Sequence, residues 1–191
     1  SETAKLPPDF QKVPPRCYLE GPDCGSFTSG ESWNRKPFFG PEVSFLQSLQ
    51  AAFPGKSFAG IKIARGGHSI TAFHPDFTLS EARTPPEDRE RNASLWPFFP
   101  EFIEKFEARF PDIAWDGILW FQGERDARVK PFSQSYPLHL SSWFQHLRTL
   151  LGRNGIPVVS ARIDPPAGIF NYRQSVRDTL VDWSEKDPTA A

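Results

Sequence analysis

The chain has 191 residues, with 22 Lys and Arg against 23 Asp and Glu and a formal net charge of -1; so even a balance offers no basic field for nucleic acid or an anionic membrane surface. Hydrophobic residues make up 38% and charged residues 24%, which is ordinary for one globular domain, here residues 1–191, with a core of its own. No apolar run is long enough to cross a bilayer, and the polar, proline-containing start carries no visible signal peptide.

Residues Ser1 to Phe39 read as irregular, broken by Pro7-Pro8, Pro14-Pro15, Gly21-Pro22 and Ser29-Gly30, with one short edge strand over Arg16–Leu19. Cys17 and Cys24 lie in this stretch; they either close a small local disulfide or stay as two thiols, and with no tight histidine pair they make no zinc site. Gly40-Pro41-Glu42 reads as a helix start, and Phe45, Leu46, Leu49 and Phe53 follow at helical spacing until Pro54-Gly55. Phe58 to Ile63 is a strand that ends in Arg65-Gly66-Gly67-His68-Ser69. A polar loop from Pro75 to Asn92 carries the solvated charge run Glu87–Arg91. A second helix spans Pro100 to Phe110, with Phe102, Ile103, Phe106 and Phe110 on one face.

Trp115 to Phe121 is nearly all apolar, as a strand covered on both faces is. It runs into Gln122-Gly123-Glu124. A third helix covers Gln134 to Leu151, with Trp143, Leu147, Leu150 and Leu151 inward and Asn154-Gly155 as its cap. Ile156 to Ile163 is another buried strand. Tyr172 to Glu185 is a last amphipathic helix through Tyr172, Val176, Leu180 and Trp183. Strands alternating with helices predict an α/β fold built on a parallel sheet with helices on both faces. In such sheets ligands bind beyond the carboxyl ends of the strands, so Gly66-Gly67-His68-Ser69 and Gln122-Gly123-Glu124 are expected on one rim.

These two motifs hold the candidate chemistry. A glutamine amide can donate a hydrogen bond to a developing oxyanion if something holds it still. A glycine lets backbone approach a substrate, and a glutamate can orient a histidine. The plainer alternative is a polar strand end with surface carboxylates. Of the histidines, His68 and His74 lie on or after the rim, while His139 and His146 fall on the surface of the third helix. Ser26, Ser29 and Ser32 are loop serines without a strand-to-helix elbow. Phe73 or Trp96 can line a sugar cleft, though packing is the commoner fate of phenylalanine.

Gly117-Ile118-Leu119-Trp120-Phe121-Gln122-Gly123-Glu124-Arg125-Asp126-Ala127 is similar to the Trp-x-Gln-Gly-Glu-Ser-Asp-Ala signature of the sialate O-acetylesterase family, which includes carbohydrate esterase family six. Arg125 stands where serine is usual. Ile61 to Ile70 resembles the family segment ending in Gly-Gly-Thr-Ser, with His68 in place of the threonine, and Phe39 to Phe45 resembles its Gly-Pro-Glu helix start. The blocks lie between Gly40 and Ala127, and Gly155 to Glu185 fits the later strand and helix.

The resemblance implies a three-layer α/β/α fold with a mostly parallel, flavodoxin-like sheet of the SGNH-hydrolase kind. It implies a serine-type O-acetylesterase acting on acetylated carbohydrates, without metal or organic cofactor and without nucleic-acid or membrane partners. Gly67 or its neighbour Gly66 would offer a backbone N–H to the oxyanion, Gln122 a side-chain N–H, and Glu124 would orient the catalytic histidine. Gly66, His68 and Phe73 would face the substrate. Asp126 and Arg125 would hold the loop by an ion pair or backbone hydrogen bonds. The family's Gly-Gln-Ser block, with the nucleophile, and its Asp-x-x-His block, with the base, do not occur in this sequence. The chain therefore reads as an internal excerpt lacking the first and last strands, inactive alone. The rival reading is a non-catalytic carbohydrate-binding relative of the same fold.

Overall fold

The computed structural model describes residues 17–20, 30–31, 37–38, 41–63, 66–77 and 94–190. Cys24, the serines at 26, 29 and 32, and the charge run at 87–91 lie outside them, as does the question of a Cys17–Cys24 disulfide. The chain divides into two compact units, Ser1–Arg65 and Gly66–Ala191.

In the first unit, β1 (Cys17–Glu20) pairs in parallel with β4 (Phe58–Ile61), Cys17 opposite Phe58 and Glu20 opposite Ile61. A parallel pair cannot be joined by a tight hairpin; the connection here holds the short antiparallel pair β2 (Gly30–Glu31) and β3 (Pro37–Phe38) and then α1 (Pro41–Ala52). Pro41 opens α1 as the sequence predicts, since a first-turn residue needs no N–H partner. Leu46 is buried, Phe45 and Phe53 are exposed, and the Phe53 ring lies 6.3 Å from Phe58.

The second unit begins with a 3-10 turn, Ile70–Phe73, and continues through α2 (Phe98–Arg109), β5 (Ile118–Trp120), α3 (Glu124–Arg128), α4 (Lys130–Leu150), β6 (Val158–Ser160) and α5 (Arg173–Lys186). β5 and β6 are parallel, Ile118 opposite Val158 and Trp120 opposite Ser160. Parallel strands linked through helices make the chain an α/β protein, as the alternation predicted.

Helix α4 starts four residues before the expected Gln134. Pro131 sits in its first turn, where proline is tolerated, and Pro137 lies inside it. An interior proline costs a helix about 3 kcal/mol, which the buried Tyr136, Leu140, Trp143, Phe144 and Leu147 around it offset by packing. The helix ends at Gly152 (φ 65°), not at Asn154-Gly155. Gly152 N–H donates to Thr149 O and Arg153 N–H to Arg148 O, so a left-handed glycine closes the last carbonyls.

Trp143, 1% exposed, is the hub of an aromatic core. Phe99, Phe73, Trp120 and Trp96 lie 4.8, 5.6, 5.6 and 6.0 Å from it, and Phe144 stacks on Trp183 of α5 at 4.4 Å. Trp120 and Val158 thus turn one face of the β5–β6 pair toward α4. The other face departs from the expectation of strands covered on both sides: Leu119, Phe121 and Val159 are 45, 63 and 50% exposed. The pleat sends alternate residues outward, and all of them here are apolar.

Beyond α5 the chain runs beside β6. Val158 N–H donates to Thr189 O, and Val158 pairs in parallel with Ala190. Arg148 locks this return with hydrogen bonds to both carboxylate oxygens of Asp187, at 2.6 and 3.1 Å, and to Ile156 O. The Arg148 hydrogen bonds hold the Asp187 carboxyl down at about 2. A depressed carboxyl stabilises the fold above its unfolded value, 3.8, and loses that effect as pH falls toward about 2. Asp187→Asn should therefore destabilise by about 1.5–3 kcal/mol near neutral pH, the range for hydrogen bonds to charged groups. In thermal melts of the two proteins the gap should narrow as pH falls from about 4 toward 2; a gap that holds constant would mean the ion pair contributes nothing.

Candidate active site

Strand β5 delivers Gln122, Gly123 and Glu124 at its carboxyl end, and α3 begins at once. The corner needs glycine. Gly123 has φ 141°, and a Cβ there would stand 2.8 Å from Val176 Cγ1 of α5 and 3.1 Å from Ile163 Cδ1. Tyr136 fixes the same corner from α4: its hydroxyl donates to Gln122 O at 3.2 Å, and Trp120 Nε1 donates to that hydroxyl at 3.5 Å. Tyr136 is fully buried, and burial pushes its phenol above the ordinary value of 10, with the Asp126 charge adding to the effect.

The Gly66-Gly67-His68-Ser69 loop has its own turn. Gly67 adopts φ 79°, open to glycine at no steric cost. Gly66 and Gly67 are exposed, while His68 and Ser69 are buried. The His68 ring contacts Gly66 O through Nδ1 at 3.2 Å. Ser69 caps the 3-10 turn, its hydroxyl accepting from Thr71 N–H.

Asp126, with 0% of its surface exposed, joins the two motifs. Ser69 Oγ donates to Oδ1 at 2.6 Å and Ile70 N–H to Oδ2 at 3.1 Å. Gln122 Nε2 donates to Oδ2 at 2.5 Å and to the carbonyl of His68 at 3.1 Å. Desolvation pushes the Asp126 carboxyl up to about 6, and the bonds from Ser69, Gln122 and Ile70 oppose it. The loop after β4 and the turn after β5, more than fifty residues apart, are thereby tied into one structure.

The candidates fall into two groups. Gln122, 8% exposed, touches the loop directly, and its partner His68 O follows Gly67 by one residue. Both amide hydrogens of Gln122 are engaged within the protein, and its Oε1 is buried with no hydrogen-bond partner among the described residues. Glu124 is half-buried in the first turn of α3; no hydrogen bond or ion pair of its carboxylate occurs among the described residues. Phe73 and His68 lie elsewhere than expected. Phe73 is 5% exposed, its ring 5.2 Å from Trp120 and 6.2 Å from Phe99, which leaves no aromatic face for a sugar. His68 is 4% exposed as a whole, and its carbonyl is taken up by Gln122.

His139 and His146 differ from the surface reading, and His74 packs with them. His74 is buried and donates from Nε2 to His139 O at 2.9 Å, and its ring lies 5.1 Å from His139 and 5.9 Å from His146, both half-buried. Burial lowers the His74 value, with His139 and His146 adding to the effect against the raising pull of its bond to His139 O and of Asp76. Among the described residues no group of three or more His, Cys, Asp or Glu side chains could hold a metal ion, and no helix is long and apolar enough to cross a membrane. Sequence reasoning missed Ser69 and Tyr136 as parts of the site. Ser69 had a signal, its place two residues after the glycine pair; Tyr136 had only its position four residues before Leu140 on the buried stripe of α4.

Residues 26–188 match the model of the family described as carbohydrate esterase, sialic acid-specific acetylesterase. The chain belongs to this family. No sequence among the curated proteins matches it. Among solved structures, a protein from Arabidopsis thaliana superposes with a TM-score of 0.72 at 14% identity, over 98% of this chain and 72% of that one. NanS gives a TM-score of 0.58 at 16% identity, over 83% of this chain and 52% of its own. A carbohydrate acetylesterase from Xanthomonas citri gives 0.56 at 15% identity, over 95% and 42%. The chain thus spans about half the length of the latter two. At these identities the likeness is one of fold.

The tie has a pH signature. Removing the Ser69 hydroxyl takes a donor from the charged form of Asp126 and none that the protonated form needs. Ser69→Ala should therefore raise the Asp126 value above about 6 and cost about 1.5–3 kcal/mol of stability at pH 7.5. At pH 5, where the carboxyl is protonated in both proteins, the cost should be smaller. Chemical denaturation of both at the two pH values checks this; equal losses would mean that the hydroxyl does not act through the charge.

Proposed function

We propose that the protein is a carbohydrate O-acetylesterase, a serine-type hydrolase that releases acetate from acetylated sugars. The observation that carries this reading is the tie through Asp126, which brings the amide of Gln122 beside the glycine loop at the end of β5. Family membership and the fold shared with a carbohydrate acetylesterase support it. The architecture we assign is one domain with a three-layer α/β/α arrangement and a mostly parallel flavodoxin-like sheet. The parallel pairs β1–β4 and β5–β6, each with helix in its connection, support that assignment.

In this reading the nucleophilic serine and the histidine base are not among the residues described above. The serine oxygen attacks the acetyl carbonyl carbon as its proton passes to the histidine. The carbonyl oxygen gains the negative charge and rests against the backbone N–H of Gly67, with Gly66 leaving the approach open, and against the amide of Gln122. Collapse expels the sugar oxygen, which takes the proton from the histidine. Water then attacks the acetyl-serine by the same route and acetate leaves. Glu124, whose carboxylate carries no bond among the described residues, orients the histidine.

The full-length protein should hydrolyse p-nitrophenyl acetate and O-acetylated sialic acid, with acetate measured directly. Gly67→Val forces a β-branched residue into a positive φ and displaces its N–H. It should lower kcat on the order of 10²-fold, the scale of losing one oxyanion donor. Binding of the acetylated sugar without turnover would assign the protein to the non-catalytic relatives, and neither binding nor turnover would overturn the reading.

A further inference from the structure

The amide of Gln122 can be set two ways around, and its surroundings decide which. Its nitrogen faces two acceptors, Asp126 Oδ2 at 2.5 Å and His68 O at 3.1 Å. Turned over, the amide would point Oε1 at both of these oxygens, three acceptors with no proton between them. Oε1 itself has no partner among the described residues, so among them the two acceptors set the orientation. Of the two bonds, the shorter runs to a carboxylate, and charge-assisted bonds are roughly twice as strong as neutral ones. The bond to the His68 carbonyl is the one that can yield.

We propose that Asp126 is a positioning residue of the esterase site: it anchors one hydrogen of the Gln122 amide so that the other can leave His68 O for the oxyanion. The inference rests on the oxyanion role assigned above to Gln122. Asp126 also fixes the far side of the site, because the same carboxylate holds Ser69 Oγ and Ile70 N–H and with them the loop that carries Gly67. One buried group therefore sets the spacing between both donors. The charged and titratable groups on the elements around it include His68 on the loop, Glu124, Arg125 and Arg128 on α3 and Tyr136 on α4; the Tyr136 phenol feels the charges of both Asp126 and Glu124.

Asp126→Asn is nearly isosteric and keeps an oxygen for Ser69. It also places an NH2 where Gln122 needs an acceptor, which favours the turned-over amide and aims Oε1 at the oxyanion. In the full-length enzyme, kcat for p-nitrophenyl acetate should fall on the order of 10²-fold with KM little changed, the pattern of an interaction made only in the transition state. A merely structural role predicts a lower melting temperature with kcat per folded molecule intact, and that result overturns the proposal.

The second measurement needs no variant to fold. In ¹⁵N spectra of the wild-type full-length protein, the Gln122 side-chain NH2 and the Ile70 amide should titrate together with one midpoint near the Asp126 value of about 6. In Asp126→Asn, if it folds, that shared step should vanish. If the Gln122 signals stay still while Ile70 moves, the carboxylate does not hold the amide and the proposal fails. A wild type without esterase activity whose spectra still titrate as described would sink the functional reading and leave the hold of Asp126 on Gln122 intact.

Discussion

A carboxylate with no exposed surface holds this site together. Desolvating a charge costs several kcal/mol, and Asp126 recovers that through three donors: a hydroxyl, a backbone N–H and an amide. The Ser69–Ile70 stretch follows two exposed glycines, and Gln122 lies two residues beyond the three-residue strand β5. A neutral residue in place of Asp126 would fill the space without drawing the three donors to one point. The raised value of Asp126 records what remains of the cost.

The carboxylate sits on a frame that cannot give way. Gly123 has no room for a Cβ because Val176 and Ile163 close on it, so the turn from β5 to α3 keeps one path. Tyr136 holds the carbonyl of Gln122 from the side of α4, and the aromatic rings around Trp143 fix α4 against β5. Ring pairs of this kind contribute about 0.5–1.5 kcal/mol each beyond the area they bury. Phe73 belongs to both systems: it is the last residue of the turn that Ser69 caps, and it packs on Trp120 and Trp143. Its burial, which removes it as a sugar platform, seats the glycine loop on the core.

Much of this was legible in the residues. Leucines, phenylalanines and tryptophans at helical spacing located α1, α2, α4 and α5, because burial of one face is what makes a helix persist. The glycine motifs marked the two strand ends, because strand-to-helix corners need conformations that other residues resist. What escaped depended on partners far along the chain. The start of α4 escaped because Pro131 falls in its first turn, while Pro137, which the expected helix already contained, is tolerated through the packing of Tyr136 and Trp143. Leu119 and Val159 are apolar on an exposed face, and composition cannot distinguish that from a covered strand. His139 and His146 looked like surface residues until His74 was placed between them. No spacing rule joins Ser69 to Asp126.

The state of Gln122 bears on how such a site can be both stable and reactive. An amide held ready for an oxyanion, with a hydrogen aimed at empty space, would leave a buried donor unpaired in every resting molecule, at about 1–3 kcal/mol. Here both hydrogens are satisfied, one by a strong charged acceptor and one by a longer bond to a peptide carbonyl. In the proposed reaction a neutral ester carbonyl competes poorly with His68 O for that second hydrogen, whereas a full negative charge competes well. The exchange then favours the transition state over the bound ester, which is the condition for raising kcat rather than merely tightening binding. Asp126 supplies that asymmetry by making one of the two bonds too strong to exchange.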